Sequence, residues 1–293
     1  AAADIAALKS EGIDPSGPTL WRFALYRTGP TRPEWLMCFN HALLDGYGVM
    51  LVGQRILRRY NALLGNDAAA LEPGPSYARF VAREQDDAQS SRHARNRAFW
   101  EERLSGMDRT TAVAATPDLQ ALPHPTQHRW EVGLARWQRY LDRAAEQGLS
   151  PAQAVMFFLA SYLARVSGQT DILIGMPLHN RRDAVDKQTV GLFVNTLPLR
   201  LSADADATLP DMMRALADDT RQVLRHQHYP LDRVLTRLPP RQGIAGMHFD
   251  LTVSVENFDP HATLGSARLR FAPFSGHPGF APVASYIRQY GDT

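Results

Sequence analysis

A histidine and an aspartate lie four residues apart in FNHALLDGYG, residues 39–48. An imidazole titrates near neutral pH, so His41 could take a proton from an attacking amine, hydroxyl or thiol. Asp45 precedes Gly46, which would allow the backbone to turn sharply into a predicted helix. If the Asp45 carboxylate is buried it needs a cation, and an arginine has the best geometry. The pattern predicts that His41 does chemistry while Asp45 and Gly46 hold the loop.

The H-x-x-x-D-G pattern also has a plain structural interpretation. His41 could be an ordinary polar residue at the end of a strand, because so short a pattern occurs often by chance. The choice between a chemical and a structural histidine therefore depends on the rest of the chain.

The elements that would position these residues follow from hydrophobic periodicity. Apolar runs at 19–26 and 34–41 flank the turn formers TGPTRP, which predicts a β-hairpin. Apolar residues at helical spacing from Val49 to Leu64, closed by Gly65, predict a helix directly after the His motif. Further helices are predicted after Ser76, around Phe99-Trp100, at 135–147, after Ser150-Pro151 (very apolar, so buried), at 209–226 and in YPLDRVLTRL. Further strands are predicted in DILIGMP, NTLPLRL, FDLTVSV and ARLRFAPF.

Strands and helices alternate along the chain, which predicts a mixed α/β fold. Residues 107–127 contain three prolines and no sustained periodicity, so they predict a linker. We expect two lobes, residues 1–120 with the His motif and residues 121–293.

Composition excludes several classes of function. The chain has 293 residues, 44% of them hydrophobic, and a net charge of +2 without a basic tract interleaved with aromatics, so nucleic acid is not an expected partner. The single cysteine, Cys38, excludes an internal disulfide. There is no apolar run of 18 residues and no leader pattern, so we expect a cytoplasmic protein without a membrane partner. His226 and His228 form an H-x-H without a third ligand at sensible spacing, so no metal is expected.

Five stretches occur in a particular order along the chain. After FNHALLDGYG come ILIGMPLHNRRDA (172–184), VGLFVNTLPLRL (190–201), RHQHYPLDRVL (225–235) and FDLTVSVENF (249–258). Together they resemble the ordered core motifs of the condensation domains of nonribosomal peptide synthetases. The resemblance covers nearly the whole chain, and five motifs in order are far more specific than any one of them.

The resemblance implies a two-lobed fold similar to chloramphenicol acetyltransferase, with the active site in a tunnel between the lobes. The family domain extends beyond both ends of this chain, so the N-terminal lobe is expected to be truncated and the C-terminal lobe incomplete. The implied reaction is peptide bond formation, by attack of a carrier-bound aminoacyl amine on a carrier-bound acyl or peptidyl thioester. The implied partners are donor and acceptor peptidyl carrier domains, which present substrates on 4'-phosphopantetheine, and an adjacent adenylation domain. The domain itself is expected to bind no cofactor.

The resemblance also assigns roles to single residues. The second histidine of the family motif H-H-x-x-x-D-G corresponds to His41, its aspartate to Asp45 and its glycine to Gly46. The arginine of the family pattern I-G-x-P-x-x-x-R corresponds to Arg181, which is expected to reach Asp45 from the other lobe and form a salt bridge. On this interpretation Asp45 is a structural brace and His41 is the catalytic residue.

Three asparagines have predicted supporting roles. Asn40 stands where the family usually has a histidine, and it can donate and accept hydrogen bonds but cannot change charge. Asn257 and Asn195 correspond to positions near the tunnel and are candidate substrate contacts, although a core role for Asn195 is equally open.

Alternatives remain open at this point. A stand-alone acyltransferase of the same superfamily would share H-x-x-x-D-G but would generally lack GLFVNTLPLR and HQHYPLD, and an epimerisation domain would differ in its later motifs. A catalytically silent platform that recruits partner proteins would be favoured by loss of the histidine or the aspartate. Whether His41 acts as a base or positions the amine is also open.

Overall fold

The computed structural model of the chain describes residue 7 and residues 12–27, 29–30, 33–65, 72–105, 128, 132–202, 206–236, 249–256, 263–264, 267–268 and 283–288. The helices are α1 (Gly46–Leu64), α2 (Ala78–Asp87), α3 (Ser91–Leu104), α4 (Leu134–Glu146), α5 (Pro151–Ser167), α6 (Leu209–Arg225) and α7 (Leu231–Leu235). The strands are β1 (Trp21–Arg27), β2 (Pro33–Phe39), β3 (Asp171–Leu178), β4 (Asn195–Ser202), β5 (Leu251–Glu256), β6 (Thr263–Leu264), β7 (Ala267–Arg268) and β8 (Val283–Arg288). These elements confirm the predicted α/β class.

The chain forms two compact units, and neither is continuous in sequence. Unit 1 contains the described residues of Ala1–Gln85, Arg181–Val194 and Asp259–His277. Unit 2 contains those of Asp86–Asn180, Asn195–Phe258 and Pro278–Thr293. The bounds differ from the predicted lobes 1–120 and 121–293, because residues 86–105 lie in unit 2 and the 181–194 segment lies in unit 1 with the His motif. The predicted linker at 107–127 lies outside the described residues.

The hairpin of unit 1 lies directly before the His motif in the chain. Strands β1 and β2 are antiparallel, with Trp21 opposite Phe39 and Leu25 opposite Trp35. Alternate residues of a strand share one face, so apolar side chains at 21, 23, 25, 35, 37 and 39 lie on the same side of the hairpin. The predicted hairpin is confirmed, and its second strand ends directly before the Asn40–His41 turn.

Helix α1 begins where the sequence predicts because Asp45 is its N-cap. Asp45 has an extended backbone (φ −89°, ψ 178°) and its side chain accepts a hydrogen bond from the N–H of Gly48, as is typical of a capping aspartate. The helix ends at Gly65, whose N–H bonds to carbonyls of the last turn. The cap fixes the direction of the helix relative to its own N-terminal loop.

The sheet of unit 2 has the order β4-β3-β5-β8. Strand β3 is antiparallel to β4, while β5 is parallel to β3 and to β8. Strand β8, in VASYIR, was not predicted. Of the predicted strand ARLRFAPF, the structure describes only the two residues of β7, which pair with β6.

Helix α5 covers this sheet with one face. Ser150 and Gln153 form a capping box at its start, and Gly168 ends it in the left-handed conformation. Residues such as Ala154 and Phe157 are buried in the core of unit 2. The prediction that the whole helix is buried is wrong, since every fourth residue lies on an outward stripe and Phe158, Tyr162 and Val166 are exposed.

A helix that crosses a membrane needs about 20 predominantly apolar residues. No single helix among the described residues is long and apolar enough, and α4 and α5 reach that length and hydropathy only as a pair bent by 98°.

Candidate active site

Five hydrogen bonds converge on the buried carboxylate of Asp45. Its Oδ1 accepts from the N–H of Gly48 at 2.8 Å and from Nη2 of Arg181 at 3.0 Å. Its Oδ2 accepts from Nη1 of Arg181 at 2.8 Å and from the N–H groups of Phe193 and Val194 at 2.9 and 3.0 Å. A carboxylate has about four lone-pair positions, so protein donors occupy this one fully. Asp45 is therefore placed to brace the loop and not to take a proton from a substrate.

The guanidinium of Arg181 is held between two aromatic rings. Its central carbon lies 4.4 Å from the ring centre of Tyr47 and 4.3 Å from that of Phe193. Its side chain is fully buried, so both cation–π contacts act without competition from water. The predicted ion pair with Asp45 forms, but Arg181 lies in the same compact unit as Asp45 and not in a second lobe, because the bonds to Asp45 bring 181–194 into unit 1.

Close backbone approach at this site occurs at Gly48 and Gly191. A side chain on Gly48 would meet Leu44 Cβ at 2.9 Å and the carbonyl of Gly191 at 3.2 Å, and one on Gly191 would overlap the ring of Tyr77. The sequence predicts that Gly46 permits a sharp turn, and this role stays a prediction. Gly46 does not have a positive φ, and a Cβ there would meet no described atom within 4 Å.

An ion-pair cluster attaches the 181–194 segment to α2. Arg83 donates to the buried Asp186 at 2.7 Å, and Arg79 donates to Asp183 at 2.8 Å. Burial alone would raise the pKa of Asp186, but hydrogen bonds from Arg83 and from backbone N–H outweigh it and leave that pKa lowered. The hydrogen bond from Arg79 lowers the pKa of Asp183 as well. The cluster therefore favours both carboxylates in their charged form and holds the segment that donates to Asp45.

Asn40 shapes the turn that carries His41. Its side-chain amide donates to the carbonyl of Ile13 at 2.6 Å, and its Oδ1 accepts from the N–H of Ala42 at 2.9 Å. Its backbone N–H bonds to Leu20 and its carbonyl accepts from Leu43. Asparagine makes such local turns readily because its side chain bonds to the backbone two residues on. The Asn40 side chain is thus engaged in holding the turn.

His41 itself is exposed at the first position of this turn. Within the described part of the chain it makes no hydrogen bond and no ion pair. Its imidazole is therefore accessible to a substrate, while the turn on which it sits is fixed on both sides by Asn40 and Asp45.

The other predicted site residues lie elsewhere or outside the described residues. Asn195 is buried in unit 2, where its amide donates to the carbonyls of Gln227 and Tyr229, both at 2.8 Å. Substrate contact by Asn195 stays a prediction. Asn257 lies outside the described residues. Among the residues that are described, no group of three or more His, Cys, Asp and Glu side chains is arranged to hold a metal ion.

Sequence reasoning missed the ring of Tyr47 and the ion-pair cluster. Tyr47 follows directly on Asp45-Gly46, and an aromatic residue beside a motif aspartate is a usable signal once a buried arginine is expected. Arg79 and Arg83 are four residues apart and therefore lie on one helix face. Two arginines on one face indicate that both could bind the same acidic segment.

The sequence of the chain matches a known protein family. Residues 2–271 match the family described as Condensation domain. The chain belongs to this family. Among curated proteins it is 27% identical over 274 residues to surfactin synthase subunit 1 of Bacillus subtilis (strain 168), which covers 94% of this chain and 8% of that protein. It is 25% identical over 243 residues to tyrocidine synthase 2 of Brevibacillus parabrevis, covering 82% of this chain and 6% of that protein. The condensation-domain chain thus spans less than a tenth of these relatives.

Solved condensation domains have the same fold. A variant of the starter condensation domain of rhizomide synthetase in complex with C8-CoA matches with a TM-score of 0.75 and 26% identity, over 90% of this chain and 60% of that chain. The first condensation domain of the calcium-dependent antibiotic synthetase in complex with a substrate analogue matches with a TM-score of 0.70 and 25% identity, over 85% and 56%. The fold is therefore the chloramphenicol acetyltransferase-like fold of condensation domains, as predicted.

Proposed function

We propose that this chain forms amide bonds in nonribosomal peptide biosynthesis. An aminoacyl amine on an acceptor carrier domain attacks an acyl or peptidyl thioester on a donor carrier domain, and both substrates are presented on 4'-phosphopantetheine. An adjacent adenylation domain would load the acceptor, in the cytoplasm. The observation that carries the proposal is an exposed His41 next to an aspartate whose carboxylate is fully occupied by five protein donors.

The reaction moves one proton from the amine to the departing sulfur and needs no covalent enzyme intermediate. The amine nitrogen attacks the thioester carbonyl carbon, a C–N bond forms, the C–S bond breaks and the donor arm leaves as a thiol. If the imidazole is a general base, the proton of the amine passes to His41, which then gives it to the leaving thiolate; if His41 only orients the amine, the proton passes to the thiolate directly. Because the thioester is already activated, holding the two arms end to end supplies much of the rate.

The rest of the motif supports His41 without touching the reacting atoms. Asp45 and Arg181 satisfy each other, so neither is available for proton transfer. Asn40 fixes the turn through Ile13 and Ala42, which compensates for the absence of the family's usual histidine. The site can therefore act with a single histidine.

The direct test combines the 293-residue chain with loaded donor and acceptor carrier domains. Mass spectrometry of the acceptor should detect the condensed product. His41→Ala should slow product formation by about a hundredfold or more, the range of one acid–base group. His128→Ala, which removes an exposed histidine that is not part of the H-x-x-x-D-G motif, is the matched control and should leave the rate unchanged. Rates within twofold of the unmodified chain for His41→Ala would refute the assignment.

A pH profile separates the two roles of His41. If His41 is a base, His41→Gln should abolish most of the rate and change the pH dependence of the rate that remains. If His41 positions the amine, His41→Gln should keep a substantial rate and the same pH dependence, because glutamine can still form hydrogen bonds.

Two further measurements distinguish this function from the alternatives. Carrier binding without transfer would favour a silent platform that recruits partners. Transfer from C8-CoA to a free amine, without transfer between carriers, would favour a stand-alone acyltransferase. A solved relative in complex with C8-CoA makes this thioester the appropriate probe.

A further inference from the structure

Asn180 has an unusual backbone conformation. Its φ is 49°, in the left-handed region, and the other positive φ values among the described residues belong to glycines. Asparagine tolerates this region better than most residues, but the conformation persists only where surrounding contacts hold it. Asn180 lies two residues beyond the end of β3 and directly before Arg181. Its conformation therefore sets the direction in which the chain leaves β3 and begins the segment that carries Arg181.

The side chain of His228 supplies such a contact. Its Nδ1 lies 2.8 Å from Oδ1 of Asn180, which is buried. A carboxamide oxygen only accepts hydrogen bonds, so the imidazole carries a hydrogen on Nδ1 and donates it. The left-handed residue is thus held through its side chain by a residue 48 positions away in sequence.

The loop that carries His228 is itself fixed. Asn195, the first residue of β4, donates from its side-chain amide to the carbonyls of Gln227 and Tyr229, the two neighbours of His228. Asn195 pairs with Leu178, the last residue of β3, which lies two residues before Asn180. These contacts all lie within unit 2. Asn195 fixes the loop that carries His228, and the imidazole of His228 donates to the side chain of Asn180.

We propose that His228 is a positioning residue for the ion pair of Asp45. By donating to Asn180, it maintains the left-handed conformation from which the next residue, Arg181, reaches the carboxylate of Asp45. His228 acts through Asn180 and touches neither member of the ion pair. Nδ1 carries a hydrogen in this tautomer and in the protonated imidazole, so this role does not depend on ionisation. The proposal stands on the geometry of the ion pair and not on the proposed amide-forming activity.

Amide hydrogen exchange provides a readout at Asp45 that needs no substrate. The N–H groups of Phe193 and Val194 donate to Oδ2 of Asp45, so their exchange rates report on whether the site is closed. Two other amides serve as references. Gly65 N–H bonds to the carbonyl of Asn61 at the end of α1 in unit 1, and Leu173 N–H bonds to the side chain of Asp250 in unit 2.

The variants His228→Leu and His228→Asn separate the hydrogen bond from the bulk of the ring. Leucine fills much of the space without a donor, whereas the Nδ2 of asparagine is as many bonds from Cα as the Nδ1 of histidine. His228→Leu should accelerate exchange at Phe193 and Val194 by about tenfold, the effect of one lost hydrogen bond. His228→Asn should restore most of the protection. Unchanged exchange at Phe193 and Val194, or equal acceleration at the two reference amides, would overturn the proposal.

A glycine at position 180 tests the mechanism itself. Glycine adopts the left-handed region without a side chain to hold it, so Asn180→Gly should keep Phe193 and Val194 protected and adding His228→Leu should have no further effect. Asn180→Ala should expose both amides, because alanine resists this conformation. If His228→Leu does not fold, the comparison of Asn180→Ala with Asn180→Gly still decides, and equal exchange in these two variants would contradict the role assigned to the left-handed turn.

Discussion

Arg181 and Asp45 form a bidentate ion pair, 2.8 and 3.0 Å long, with side chains 0% and 4% exposed. Removing two charges from water is costly, and their mutual attraction repays that cost only where other partners satisfy them. Here backbone N–H groups complete the carboxylate, and the rings of Tyr47 and Phe193 enclose the guanidinium. The pair therefore holds the loop of His41 as long as every partner is in place.

Removing the arginine should destabilise unit 1 strongly. Arg181→Met leaves a buried carboxylate without its cation, so we expect a loss of about 3–5 kcal/mol in the free energy of unfolding, measured by urea denaturation. The same substitution at Arg200, whose pair with Asp171 is partly exposed, should cost less than about 1 kcal/mol. Similar losses for the two variants would show that burial does not set the strength of the Asp45 pair.

The ring of Tyr47 should matter more than its hydroxyl. Tyr47→Leu removes one cation–π contact with Arg181, and we expect a loss of about 1–2 kcal/mol in urea denaturation. Tyr47→Phe keeps the ring at the same position and should stay within about 0.5 kcal/mol of the unmodified chain. A larger loss for phenylalanine than for leucine would assign the stabilisation to the hydroxyl.

Two glycines of the motifs should respond in opposite ways to alanine. A Cβ on Gly191 overlaps the ring of Tyr77, so Gly191→Ala should destabilise by about 1–3 kcal/mol or more. A Cβ on Gly46 meets no described atom within 4 Å, so Gly46→Ala should keep or slightly raise the melting temperature, because alanine favours helix. A drop for Gly46→Ala as large as for Gly191→Ala would support the sequence-based role of Gly46.

The ion-pair cluster should make stability depend on pH. The pKa values of Asp183 and Asp186 are lowered in the folded chain, so the stabilisation is present above about pH 4, where an unfolded carboxyl is ionised, and is lost as the pH falls through the lowered values. Asp186→Asn should lower the urea midpoint at pH 7 and flatten its decline between about pH 4 and pH 2. Asp218→Asn, at an exposed carboxylate of α6, should give a curve parallel to that of the unmodified chain. Parallel curves for both variants would exclude Asp186 from the acid response.

The stability of the His41 turn should depend on both the nitrogen and the oxygen of the Asn40 side-chain amide. Asn40→Ala removes the bond to Ile13 and the bond from Ala42, with an expected loss of about 1–3 kcal/mol. Asn40→Asp keeps the acceptor for Ala42 but places an oxygen against the carbonyl of Ile13. Its loss relative to the unmodified chain should therefore be greater at pH 7 than at pH 4, and equal losses at both pH values would contradict this arrangement.

The sequence predicts the local part of the site well. The hairpin and α1 follow from periodicity and from turn and cap residues within a few positions of each other, so the Asn40–Asp45 turn was located correctly. The ion pair joins residues 136 positions apart, and periodicity carries no information at that distance. The sequence points to Arg181 only through the resemblance of its motif to that of a known family.

Other features depend on packing that no local pattern encodes. Glycine suits both a tight turn and a close approach, so the sequence could not tell that Gly191 and Gly48, and not Gly46, are constrained by neighbours. Strand β8 pairs in parallel with β5 through residues distant in sequence, and its six residues lie in a segment rich in proline and glycine. Its Val283, Tyr286 and Ile287 suit a strand, but the prolines and glycines around it obscure that signal in the sequence.

The discontinuity of unit 1 has a consequence for synthesis on the ribosome. The last donor to Asp45, the N–H of Val194, is translated 149 residues after it. At a synthesis rate of about 5–20 residues per second, roughly 7–30 s pass between the synthesis of Asp45 and that of its last hydrogen-bond donor. A nascent chain that ends before Val194 cannot complete the site, so Asp45 gains its full set of partners only after the whole 181–194 segment has been made.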